Sequence, residues 1–168
     1  MGSPRPWNWR CLKTLQPAQP ATRPGGYLTP TLELQASAAE ITEILLNHRV
    51  VAVVGLSDNP GRPSYRVAQY LQEHGFRIVP VNPGCQEILG ERCYASLKDI
   101  PFPVAIVDIF RNVDAIPEIV AEAIAVGAKV VWMQLGLEEP HSARQAKQAG
   151  LQVVMDRCLK IEHGQRHL

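Results

Sequence analysis

The clearest chemical signal in the sequence is one short stretch, Gly55-Leu56-Ser57-Asp58-Asn59-Pro60-Gly61-Arg62-Pro63-Ser64. It follows an apolar run and leads into an amphipathic one. A glycine-bearing turn that opens a helix presents free backbone N–H groups at the positive end of the macrodipole, which favours an anion. Gly55 and Gly61 let the backbone approach a phosphate closely. Ser57 and Ser64 offer hydroxyls, and Arg62 and Arg66 add charge-assisted contacts. The chemistry this suggests is the binding of a nucleotide through its phosphates. The stretch lacks G-K-[ST], so it is no Walker P-loop, and it lacks G-x-G-x-x-G. A dinucleotide site further expects an acidic residue about 20 residues on, for the ribose hydroxyls. Here the next strand ends Pro80-Val81-Asn82-Pro83 with no carboxylate. That argues against NAD and less strongly against NADP. The plain alternative is a tight strand-to-helix turn with no ligand.

Other residues with chemistry are scattered. Asp108 could serve as a base, a cap or a ribose ligand, but no second carboxylate or histidine sits at a spacing that makes an acid–base pair. Arg111 could bind an anion or pair with Asp108 or Asp114. Phe110 and Trp132 could wall a crevice or fill the core, and the Gln134 amide points toward the strand tips. Cys158 follows Asp156-Arg157, where a guanidinium would favour thiolate; the competing reading is a small buried hydrophobe. Cys11, Cys85, Cys93 and Cys158 show no CxxC spacing and no histidine partner at zinc-ligand spacing. Cys85 and Cys93 are read as plain thiols. The five histidines share no spacing, and none is assigned a metal.

The elements that position these residues are legible from periodicity. Ser37 stands three residues before Glu40, a capping-box spacing, and Ala38, Ile41, Ile44 and Leu45 then share a helical face. Val50–Val54 is a continuous β-branched run, the mark of a strand buried on both faces of a parallel sheet. Pro63 and Ser64 open a second helix that Gly75 closes. Strands follow at 76–81, 104–107, 129–133 and 152–155. Helices are expected at 115–126, capped by Asp114, and at 138–149. The piece 84–100 is irregular, with a short capped helix at 96–99. Strand alternating with helix predicts a doubly wound α/β fold: a mainly parallel five-stranded sheet with helices on both faces. In such sheets ligands lie beyond the carboxyl ends of the strands.

Composition agrees with one soluble domain. The 168 residues are 46% hydrophobic and 20% charged, with net charge +1. No polyanion surface is implied, so nucleic acid is not an expected partner. No run approaches the ~18 apolar residues of a membrane helix. Residues 1–35 hold six of the fourteen prolines, and Arg5, Arg10, Lys13 and Arg23 against Glu33 alone leave them net +3. They read as a flexible, Pro-rich basic tail, followed by a domain over 36–163 and a tail at 164–168. No signal-peptide h-region is present, and scattered cysteines suit reduced thiols in a cytoplasm.

The motifs then converge on a family. V-V-G-L-S at 53–57, R-P-S-Y-R-V at 62–67, P-V-N-P-G at 80–84, V-D-I-F-R-N at 107–112, W-M-Q-L-G at 132–136 and V-M-D-R-C at 154–158 arrive in order at strand ends. The chain resembles the small stand-alone CoA-binding domain proteins of the YccU type, themselves similar to the N-terminal CoA-binding domain of the succinyl-CoA synthetase α subunit. The resemblance spans about 37–163. It implies a Rossmann-like, nucleotide-binding fold that holds coenzyme A, or an acyl-CoA, across the strand tips. By the same resemblance Gly55, Leu56, Ser57, Asp58, Arg62, Pro63 and Ser64 form the phosphate loop. Val81, Asn82 and Pro83 pack on adenine and ribose. Asp108, Ile109, Phe110 and Arg111 lie near the diphosphate and pantetheine, Met133, Gln134 and Gly136 after the fourth strand, and Cys158 near the thiol. The synthetase's phosphohistidine domain has no counterpart before Leu168, so no catalytic histidine carries over and no activity of its own is expected. The alternatives are an NADP-linked oxidoreductase, or a CoA-transferring enzyme or subunit that uses Cys158. A homo-oligomer or a separate protein partner stays open.

Overall fold

The computed structural model describes residues 33–168. The β-branched run becomes β1 (Val50–Val54), and β2 (Arg77–Val81), β5 (Ile106–Ile109), β6 (Val130–Met133) and β7 (Gln152–Val154) join it in one sheet. The order is β2-β1-β5-β6-β7, and every pairing is parallel. The chain therefore runs outward one way from β1 to β2, then crosses to β5 and runs the other way. The reversal lies between β1 and β5, and in such sheets the crevice that takes a ligand forms beyond the carboxyl ends of the strands at that point.

Two apolar layers hold the sheet. Helices α1 (Ala38–Asn47), α2 (Pro63–Glu73) and α5 (Leu159–Gln165) pack on the face that carries Val51, Val53, Ile106 and Trp132. Helices α3 (Ile116–Ala125) and α4 (Pro140–Gln148) cover the other, with Ala52, Val54, Val107 and Met133. The α/β fold with helices on both faces is thus as the periodicity predicts. So is the Ser37–Glu40 capping box at α1, and His48 and His74 end α1 and α2.

Four details differ from the sequence reading. Strand β5 is displaced two residues, from 104–107 to Ile106–Ile109. A carboxylate ordinarily ends a buried strand, yet Asp108 stays in the ladder between Val53 and Trp132 because Gln134 supplies it a hydrogen bond. Asp114 does not cap α3: it lies inside a 3₁₀ turn, Val113–Ala115, and α3 starts at Ile116. The irregular piece contains a hairpin, β3 (Glu87–Ile88) and β4 (Glu91–Arg92), turned by Leu89 and Gly90 at φ 55° and 75°. Two central residues at positive φ match the right-handed strand twist. Tyr94 then bridges Val81, so this segment covers the β2 edge. Finally, α5 carries regular structure to Gln165, and Arg166 is bound back to α1 through Thr42 Oγ1 at 2.9 Å.

The expected tail lies outside the described residues except for its last three. There Leu34 packs on the core and Gln35 Oε1 accepts from the Met155 N–H at 3.1 Å; Ala36, the first residue of the expected domain, donates to the Val153 carbonyl at 2.8 Å.

Candidate functional site

The crevice is built by close approach of two strand tips. Gly55 ends β1 at φ +85°, and a Cβ there would lie 2.5 Å from the Phe110 carbonyl oxygen and 2.7 Å from Arg111 Cδ. Only glycine allows both the backbone conformation and the passage of the Arg111 stem. The Gly55 N–H donates to the Val81 carbonyl at 2.9 Å, and Phe110 N–H to that of Val54. Asn82 locks the third tip. Its Nδ2 donates to the Leu56 carbonyl and its Oδ1 accepts from the Gly84 N–H, both at 2.8 Å.

The loop into α2 is pinned by side chains rather than by glycines. Ser64 is buried, and its Oγ accepts from the Ser57 N–H at 3.1 Å. Ser57 Oγ in turn accepts from Asn59 N–H, and Asn59 Oδ1 from Gly61 N–H. Gly61 is not at positive φ, and a Cβ there would meet only the Asn59 side chain at 3.1 Å. No main-chain neighbour within the protein itself requires glycine at this position. Helix α2 has Arg62 at its N-cap and Pro63 at its first position, with no side-chain cap. Its first N–H groups are therefore left without the usual internal acceptor, and Asp58, Arg62 and Pro63 are exposed around them.

Beside these tips lies a cavity of about 270 Å³. Val54, Val81, Ala95, Leu97, Ala115 and Ile119 supply its apolar lining, and Asn82, Ser96, Arg111, Glu118 and Glu122 its polar lining. Gly55 and Pro83 complete it. Of the residues singled out from sequence, the fold thus gathers Gly55, Val81, Asn82, Pro83 and Arg111 around one space. Leu56, Ser57, Asp58, Arg62, Pro63 and Ser64 form the adjoining loop.

The others lie elsewhere. Asp108 is in register with Val53 and Trp132, so by strand alternation it faces the α1–α2 layer, away from the cavity face of Val54. It is fully buried. Gln134 Nε2 donates to its Oδ1 at 2.8 Å, while Oδ2 has no partner. Burial pushes this carboxyl up to about 7, against the opposing hydrogen bonds of Gln134 and the Ile109 backbone. Ile109 and Met133 are buried in the opposite layer. Gly136 donates to Asp156 Oδ1 at 2.7 Å, tying two loops together. Cys158 is the N-cap of α5, half-buried. The neighbouring Arg157 guanidinium is committed to Glu162 at 2.8 Å, and Trp132 is core, donating to the Arg157 carbonyl.

Sequence reading missed Glu118, Glu122, Ala95, Ser96 and Leu97. The glutamates lie inside the helix expected at 115–126, to which no site was assigned, and the others lie in the irregular piece. A second cavity of about 410 Å³ shares Asn82, Pro83 and Ala95 with the first and is also lined by Cys85 and Cys93. Burial, with Cys85 nearby, pushes the Cys93 thiol up to about 11, so it stays protonated and unreactive at neutral pH.

Comparison with known proteins bears on this geometry. Residues 49–164 match the model of the CoA binding domain family. The protein YneT of Bacillus subtilis is 42% identical over 127 residues, covering 76% of this chain and 94% of YneT. A hypothetical protein of Pyrococcus horikoshii superposes with a TM-score of 0.76 at 39% identity, over 79% of this chain and 93% of that one. The ADP-forming acetate–CoA ligase II of Archaeoglobus fulgidus is 38% identical over 81 residues, 47% of this chain but 12% of the ligase.

Proposed function

The chain belongs to the CoA-binding domain family, and from that premise we propose that it binds coenzyme A across its strand tips and carries out no chemistry of its own on it. The phosphates sit on the uncapped start of α2 and its loop, with Arg111 as counter-charge. The nucleoside end enters the cavity beside Val81, Asn82 and Pro83. The observation that carries this reading is the Arg111 guanidinium, which forms no ion pair among the described residues and is held against Gly55 between the loop and the cavity. A cationic group that completes no internal ion pair at a strand-tip crevice suits an anionic ligand. Because this chain spans only a small fraction of the ligase, ligase activity is not proposed.

The test is thermal unfolding of the whole chain at fixed salt, with CoA, acetyl-CoA, NAD, NADP and ATP in parallel. CoA at about 100 times its dissociation constant is expected to stabilise the fold by about 2.7 kcal/mol, a rise of a few degrees at this size. NAD and ATP should give no shift. A shift with NADP and none with CoA overturns the reading and revives the dehydrogenase.

A further inference from the structure

We propose that Glu118 decides which nucleotide the cavity accepts, by taking a hydrogen bond from the exocyclic amine of adenine. This rests on the CoA reading and deepens it. Three of the cavity's five polar side chains are already engaged. Asn82 is held at both ends, to Leu56 and Gly84. Ser96 Oγ donates to Asp99 at 2.9 Å. Glu122 accepts from the Leu97 N–H at 3.2 Å and lies 3.7 Å from Lys98 Nζ. Arg111 and Glu118 remain, and neither forms an ion pair among the described residues, not even with the other.

A free guanidinium and a free carboxylate around one cavity suit a ligand that is anionic at one end and a hydrogen-bond donor at the other. Arg111 stands against Gly55 on the phosphate-loop side, so the anionic end belongs there. A carboxylate only accepts, and a phosphate beside Glu118 would be repelled. A neutral, donating edge of the ligand must face it, with the phosphates, that on the ribose included, turned toward Arg111. At about 270 Å³ the cavity falls below the range of about 300–1,000 Å³ for whole drug-sized ligands, so it takes one end of the coenzyme. Its apolar lining of Val54, Val81, Leu97 and Ile119 suits a flat base. Adenine offers its amine to the carboxylate, whereas a base with a carbonyl in that position would meet like polarity.

Glu118 also lies in the first turn of α3, where a negative charge favours the helix. Stability alone therefore cannot test the idea, and the readout is a ratio of ligand affinities. Titration calorimetry would compare wild type with Glu118→Ala and Glu118→Gln. The ligands are CoA, 1,N6-etheno-CoA (whose amine hydrogens are replaced by a ring) and 4′-phosphopantetheine. Wild type is expected to favour CoA over etheno-CoA at least about tenfold. Glu118→Ala should weaken CoA by a similar factor, leave the other two unchanged and so erase the preference; Glu118→Gln should recover part of it through its remaining carbonyl. If Glu118→Ala weakens CoA and etheno-CoA equally, or keeps the preference intact, the assignment is overturned while CoA binding stands. Failure of wild type to bind CoA at all overturns both.

Discussion

Arg111 and Arg166 carry the same guanidinium in opposite circumstances. Arg166 reaches from the end of α5 to Glu162 Oε2 at 2.6 Å, the Glu162 carbonyl at 2.7 Å and Thr42 Oγ1 at 2.9 Å. Arg157 adds a bond to the other Glu162 oxygen at 2.8 Å. Beside this cluster, His163 is buried against Phe76, its Nδ1 3.1 Å from the Tyr70 hydroxyl. Arg111, at the strand tips, is exposed and has no such partner among the described residues. Where the charges are paired, the region fastens the C-terminal helix. Where they are left unmatched around a cavity, they are available to a ligand.

Two buried carboxylates sharpen the contrast. Burial would raise the Glu162 carboxyl, but the hydrogen bonds and charges of Arg157 and Arg166 outweigh it and hold it below the usual range. Asp108 has the hydrogen bonds of Gln134 and the Ile109 backbone but no cation among the described residues, so burial wins and the group is pushed up to about 7. Burial alone does not set the sign; the partner does.

The largest expected effect comes from breaking the matched region. Glu162→Ala leaves two guanidinium groups facing each other and should cost about 3 kcal/mol in urea unfolding at pH 7; a loss under about 1 kcal/mol would mean that water screens the cluster. Asp108 should act in the opposite sense with pH. Its folded-state pKa is raised, so its contribution is complete below its unfolded value of 3.8 and is lost as pH climbs through about 7. Glu162 and His163 have lowered values, so their contributions are present at neutral pH and fade as pH falls. Subtracting the Asp108→Asn stability curve from wild type between pH 4 and 8 isolates Asp108. The variant should gain on wild type as pH rises from 4, with the gain levelling off above about 7. A flat difference curve would show the carboxyl to be ionised throughout. Tyr70→Phe removes the hydrogen bond between its hydroxyl and the ring of buried His163 and should cost about 1 kcal/mol by thermal unfolding. Arg111→Ala should change stability least, within about 0.5 kcal/mol, while weakening CoA about tenfold or more by calorimetry. A variant that loses stability but keeps CoA affinity would reverse the assignment of the two regions.

Much of this was readable from local pattern. The β-branched run at 50–54, the Ser37–Glu40 spacing and the Pro63 start fix their elements because each is a short-range preference of a few adjacent residues. Gly55, Asn82 and Arg111 were identifiable because the residues after parallel strands must gather at one edge. Glu118 and Glu122 were not, since an exposed glutamate on an amphipathic helix carries no mark of what lies opposite it. Asp108 was read as ending its strand, because its partner Gln134 lies 26 residues away.

The sequence by itself determined the alternation of strand and helix, the two-sided core and the edge at which the residues after the strands gather, since these follow from side-chain period and backbone preference. Only the tertiary structure decided which face of the sheet each strand-tip residue serves and which charges find partners. A displacement of β5 by two residues moves that strand's tip from Val107 to Ile109. Pairing of charges depends on distances between segments far apart in the chain, which no local pattern records.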